Sequence, residues 1–164
     1  MKSTRRKKRK VSSLLIASHI ISLFLGCILG MYLLPILIAP KTPSESEFLN
    51  VIDQAKFEAI FVKNIEGSDF IHWGKGQISL AKNTVAFQGK ISPGPDFKLY
   101  LTRNFIDNKK EFLKVKNQSL LVGDVKSFDG FIIKTEKDLD FSQYSGVVIW
   151  CEVFSRFITS AKYK

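Results

Sequence analysis

The chain has 164 residues, 45% hydrophobic and 12% aromatic, with a net charge of +10 and two cysteines. That length holds one membrane span and one small domain. Seven of the 25 basic residues lie within residues 2–10, and the other 18 face all 15 acids beyond residue 40, leaving that part at +3. A nucleic-acid binder keeps its basic excess on the folded domain, so the charge here speaks of membrane topology and no nucleic-acid partner is expected.

Residues 1–10 read as a solvated basic leader. From Val11 to Ala39 there is no Asp, Glu, Lys or Arg. About 20 apolar residues cross a bilayer, so residues 11–39 are long enough to span it with some tilt. The basic cluster just before the span places the N-terminus in the cytoplasm and the C-terminal domain outside it. A cleaved signal peptide has an apolar core of only about 7–15 residues, and Pro40 directly after Ala39 is a poor site for cleavage. Lipoprotein processing at Gly26-Cys27 would leave a long apolar stretch behind the lipidated cysteine. The expectation is an uncleaved signal anchor in a single-pass membrane protein, with the lipid bilayer as its first partner. Gly26 and Gly30 match the spacing that lets two membrane helices approach, though loose packing explains them better than a dimer motif does.

Residues 40–56 read as a linker and a short helix that stands the domain off the membrane. Pro40 and Pro43 precede a capping box, Ser44 reaching forward and Glu47 back, and Phe48, Leu49, Ile52, Ala55 and Lys56 continue with helical spacing. Residues 57–164 change period. The runs Phe57–Ile65, Gly76–Leu80, Thr84–Gln88, Phe97–Leu101, Phe112–Val115, Leu120–Val122, Phe131–Lys134 and Val147–Val153 are short and β-branched or aromatic. Gly, Asn, Asp and Pro punctuate them, and Asp129-Gly130 is a hairpin signal. Strands at this spacing predict an all-β antiparallel sandwich or barrel-like domain behind the N-terminal transmembrane helix.

Cys27 lies in the span and Cys151 in the distal domain, so the two do not pair within one chain. Two readings of Cys151 are open. Free cysteines usually sit buried as small, unreactive hydrophobes; the functional reading needs a cavity beside the sulfur. Strand alternation puts Val147, Ile149, Cys151 and Val153 on one face and Val148, Trp150, Glu152 and Phe154 on the other. His72, in a turn-like setting before Trp73-Gly74, is a second candidate, and Trp73 and Trp150 are candidates to wall a ring-shaped ligand. Asp96, after Gly94-Pro95, reads as a turn residue whose side chain bonds the backbone. Two candidate ligands are too few for a structural zinc site, so no metal site of that kind is expected. Nothing resembles a nucleophile elbow, phosphate loop, zinc-protease helix or dinucleotide fingerprint.

Three blocks carry a resemblance: His72-Trp73-Gly74-Lys75-Gly76-Gln77-Ile78, Gly94-Pro95-Asp96-Phe97-Lys98-Leu99-Tyr100-Leu101, and Tyr144 to Ala161 with its Val147-Val148-Ile149-Trp150-Cys151 core. In this order the chain resembles the DM-thirteen domain family of electron-transfer modules. Phe131-Ile132-Ile133-Lys134 departs from it, lacking the tyrosine and proline often seen there. The resemblance implies redox chemistry at membranes through the cysteine, as a free thiol or as a ligand to haem. It also implies a membrane cytochrome or DOMON-type redox partner. The resemblance carries over to Cys151 alone as the reacting group and cofactor ligand, with His72 a weaker candidate. Trp150 is a cofactor-binding candidate only through its ring, which core packing explains more readily. On this reading the protein is an electron-transfer module rather than a stand-alone enzyme. The alternative is a non-catalytic cell-surface binding or scaffolding sandwich that presents loops such as residues 92–96, with Cys151 merely core.

Overall fold

A computed structural model describes residues 2–135 and 139–164, with side chains from Ser12 onward. Helix α1 runs Lys2–Leu37, and its stretch Ser12–Leu37 is long and apolar enough to cross a membrane. Pro35 is accommodated within it two residues before its end. Helix α2, Glu45–Ile52, starts on the expected capping box: the Glu47 amide donates to Ser44 Oγ, and the Ser44 amide donates to Glu47 Oε2 at 2.8 Å. It ends before Ala55, where the first strand begins. Phe48 is buried, and α2 lies against β2 and β3 rather than standing clear of the domain.

The strands are β1 Ala55–Phe61, β2 Gly74–Ala81, β3 Thr84–Ile91, β4 Phe97–Thr102, β5 Leu120–Val125, β6 Phe131–Lys134, β7 Gly146–Cys151 and β8 Arg156–Lys162. They form two antiparallel four-stranded sheets, ordered β1-β2-β3-β6 and β5-β4-β7-β8. The main core lies between the sheets, with Phe61, Ile78, Leu80 and Phe87 facing Leu99, Leu101, Val147, Ile149 and Ile158. A second cluster of Tyr100, Ile106, Phe112, Val148, Trp150 and Phe157 covers the outer face of the second sheet. Because β7 is buried on both faces, Val147 to Trp150 reads as one continuous apolar run instead of an alternating one.

Three local expectations change. Phe112–Val115 belongs to helix α3, Lys109–Val115, whose N-cap Asn108 accepts from the Glu111 amide at 3.0 Å. Phe112 and Val115 are one helical turn apart and both pack on the outer cluster, a spacing a short strand pattern mimics. The tail Arg156–Lys162 forms β8, hidden in sequence by buried Thr159 and Ser160; the Ser160 hydroxyl is satisfied by the Ile106 carbonyl. Asp129-Gly130 joins β5 of one sheet to β6 of the other, so it is a crossover and not a hairpin. Gly130 sits there at φ +135°, where a Cβ would meet the Phe48 ring at 3.0 Å.

Four loops gather at one end of the sandwich. Phe61 pairs with Gly76, Gly74 with Ile91, and Phe97 with both Val125 and Cys151, so the segments 62–73, 92–96, 126–130 and 152–155 close the same end. The C-terminal half of α1 abuts these loops, while the Lys82-Asn83 turn marks the opposite end.

Phe87 packs between the Phe61 and Phe131 rings at centroid distances of 5.4 and 5.2 Å. Phe87→Ala is expected to lower the unfolding free energy by about 3–5 kcal/mol. Ser44→Ala, which removes only the α2 cap, costs about 1 kcal/mol. Denaturant titration of the full chain in detergent checks both.

Candidate functional site

Cys151 is the last residue of β7, opposite Phe97 on β4 and Arg156 on β8. Its side chain belongs to the inner core and is 2% exposed. The chain then turns sharply through residues 152–155, with Ser155 at φ +47° and its amide donating to the Glu152 carbonyl at 3.2 Å. The strand therefore ends two residues earlier than its apolar pattern suggests, and Val153 and Phe154 are exposed in the turn. The Glu152 amide donates to the Asp96 carbonyl at 2.9 Å, tying this turn to Gly94-Pro95-Asp96. Gly94 is needed there, since a Cβ would stand 2.3 Å from the Phe97 ring.

Burial pushes the Cys151 thiol above its ordinary pKa and the Asp96 carboxylate adds to this, while the neighbouring backbone of Phe154, Asp96 and Val153 offsets part of it. Burial wins, so the free side chain is a neutral thiol.

His72 comes from the loop between β1 and β2. The Asp69 carboxylate accepts from the amides of Ile71 and His72 at 2.8 and 2.7 Å, and from the imidazole Nδ1–H at 2.7 Å. Burial raises the Asp69 pKa, but the bonds from His72 and Ile71 outweigh it and hold the carboxyl below its ordinary value. A carboxylate only accepts, so Nδ1 carries the proton and the lone pair of the neutral ring is on Nε2. This is how proteins orient an imidazole ligand.

Cys151 and His72 line one cavity of about 190 Å³, together with Ile71, Phe97, Phe154 and the turn 93–95; its other wall is Ile28, Met31 and Tyr32 of α1. A second cavity of about 350 Å³ adjoins it, sharing Met31, Gly94, Pro95 and Phe97. Trp150 is placed elsewhere. It faces the outer cluster on the other side of the sheet, its ring centroid 5.0 Å from that of Phe112. Trp73 also stays off this cavity's lining, with Lys63 Nζ 4.6 Å above its ring. Among the described residues no group of three or more His, Cys, Asp or Glu is poised to hold a metal ion.

Asp69 escaped the sequence reading, although its place three residues before His72 was the available signal. A second missed cluster surrounds Glu152, whose carboxylate accepts from the Tyr100 hydroxyl and from Lys116 Nζ. Burial raises the Glu152 pKa, but these bonds and the Lys116 charge hold it below the ordinary carboxylate value. Burial first, then the Glu152 carboxylate, push the Tyr100 phenol up, so it remains a donor. Nothing in the local sequence joins Tyr100, Lys116 and Glu152; the β4–β7 pairing and the path of α3 do.

A carboxyl depressed in the folded state adds stability above its unfolded pKa and loses it as pH falls through the folded one. Wild type therefore loses the Glu152 contribution on acidification, along with those of Asp69, Asp124 and Asp140, which are depressed as well. In Glu152→Gln the first contribution is gone at every pH. Its Tm is expected to be lower than wild type at pH 7 and to converge on it toward pH 3, as thermal melts across that range would reveal.

Comparison with curated proteins and with solved structures returns no significant match. The sequence model of a family described as electron transfer DM13 matches residues 64–163. That stretch contains His72, the Gly94-Pro95-Asp96 turn, Cys151 and every strand except β1, and by it the chain belongs to the electron-transfer DM13 family.

Proposed function

We propose that the protein is a membrane-anchored electron-transfer module whose redox centre occupies the cavity lined by Cys151 and His72. The single observation that carries this is their convergence. A nearly inaccessible sulfur and an imidazole oriented by Asp69 line the same apolar cavity. In this reading α1 is an uncleaved anchor, the basic leader stays in the cytoplasm and the domain works on the other side.

Of the two redox roles open to Cys151, ligation fits the geometry better than thiol exchange. Exchange needs an accessible thiolate, whereas this thiol is nearly inaccessible and its pKa is raised. A bound cation would deprotonate it. One thiolate and one imidazole make a donor set known for haem iron. The smaller cavity alone falls below the roughly 300–1,000 Å³ of ordinary ligand pockets, and the adjoining one brings the space into that range. Cys151 and the free Nε2 of His72 would hold the group, with Phe97, Phe154 and Met31 excluding water from it. When bound, haem supplies a reversible one-electron couple. A membrane cytochrome or DOMON-type protein is the kind of partner such a centre would serve.

The test is the visible spectrum of the full chain, expressed under haem-replete conditions, purified into nanodiscs, and recorded oxidised and dithionite-reduced. Wild type is expected to show a Soret band that shifts on reduction. Cys151→Ser should lose or displace it, and His72→Ala should displace it. A colourless wild type whose Cys151 stays inert to thiol reagents until unfolding would overturn the redox reading. It would favour the alternative, a cell-surface binding sandwich.

A further inference from the structure

The loop end of the sandwich carries exposed apolar side chains that the redox reading does not use. Phe70 is 91% exposed, Ile71 and Val153 are 62% exposed, and Phe154 is 50% exposed. They come from two separate turns, 62–73 and 152–155, brought to the same end by the strand pairing. Isolated exposed hydrophobes need no explanation, but a group on adjacent tips marks an interaction surface.

Helix α1 indicates what covers them. Ile71 and Phe154 share the smaller cavity with Ile28, Met31 and Tyr32. The apolar stretch Ser12–Leu37 has 26 residues, about 39 Å of helix at 1.5 Å per residue, against roughly 30 Å of hydrocarbon. With Ser12 at one boundary, the other falls near Met31 and Tyr32, and tyrosine is a residue of that boundary. The tips that touch this part of α1 are therefore level with the outer hydrocarbon edge.

Charge at the same end points the same way. Lys75 and Lys90 stand directly opposite each other on β2 and β3, both exposed, and neither has an acidic partner among the described residues. Like charges in register are destabilising, and anionic head groups beside them would relieve the repulsion. Of the acids at this end, Asp69 is paired with His72 and both Asp96 and Asp124 with Lys98, while Glu66 and Asp129 are exposed in the loops 62–73 and 126–130.

We propose that the loop end of the domain is seated in the interfacial layer of the bilayer that α1 crosses, with Phe70, Ile71, Val153 and Phe154 against the acyl chains. This rests on α1 being a membrane span. The domain is then docked on the membrane at two places and does not swing on the linker, and the Cys151–His72 cavity opens at the lipid boundary.

The experiment is site-directed spin labelling of the full chain in vesicles of phosphatidylcholine and phosphatidylglycerol, in a Cys27→Ala background. The unsubstituted background protein serves as the blank for buried Cys151. Labels are placed by Phe70→Cys, Phe154→Cys, Leu23→Cys in mid-span, and Lys82→Cys at the far end of the domain. Collisional relaxation by oxygen, which concentrates in lipid, is compared with that by a water-soluble nickel chelate. Labels at positions 70 and 154 are expected to favour oxygen several-fold, as at 23, with 82 showing the reverse. Positions 70 and 154 behaving like 82 while 23 reports lipid would overturn the docking and leave the span intact. A water-exposed label at 23 would overturn the span and the docking with it.

Discussion

β7 is hydrogen-bonded to β4 on one side and to β8 on the other, and both of its faces are covered. This double burial is the constraint on which the rest of the structure depends. One face of the strand completes the core between the sheets, and the other is sealed by α3 and the aromatic cluster around Trp150. A strand held this way has no freedom to slip, because a one-residue shift would exchange the side chains of its two faces. Cys151 is therefore delivered to the end of the sandwich in fixed register with Phe97, and the Gly94-Pro95-Asp96 turn preceding Phe97 is delivered with it.

The same constraint explains why some of this was legible in sequence. A strand buried on both faces needs an unbroken apolar run, and Val147 to Trp150 is one; a tight turn that folds an aromatic ring back on itself needs Gly94. The capping box at Ser44 was legible because its signal is complete within four residues. Phe112–Val115 was misread because four residues hold too little period to separate a helix from a strand, and the deciding feature was the cap at Asn108. β8 was missed because its interior includes hydroxyls, and the Ser160 hydroxyl is satisfied by the carbonyl of Ile106, 54 residues away in sequence. The pairing of His72 with Cys151 was available as a suspicion alone, since their shared cavity depends on which loops the topology gathers at one end. Trp150 shows the opposite case. Strand alternation already separated it from Cys151, and that separation holds in three dimensions.

The setting of Cys151 combines two opposed electrostatic effects. Burial disfavours a charged sulfur, and the neighbouring backbone of two different turns offsets part of this. In the proposed function the sulfur would be neutral when alone and anionic when a cation sits beside it. Asp69 prepares His72 in the complementary way, fixing the tautomer that leaves Nε2 with its lone pair.

Helix α1 adds a wall that the family-matched region, residues 64–163, does not itself contain. Ile28, Met31 and Tyr32 close one side of the smaller cavity, and Met31, Leu34, Pro35 and Ile38 line the larger one. The segment that would anchor the protein is thereby also part of the site. An anchor that only tethered would leave the domain free on a flexible linker, yet Pro40 and Pro43 keep the connection short, and the buried Phe48 of α2 fastens the next turn of chain to the sheet. The arrangement fixes the cavity's height relative to the helix, and hence to any bilayer the helix crosses. In the proposed electron carrier that position would set the distance to a membrane-embedded partner by the fold instead of by diffusion.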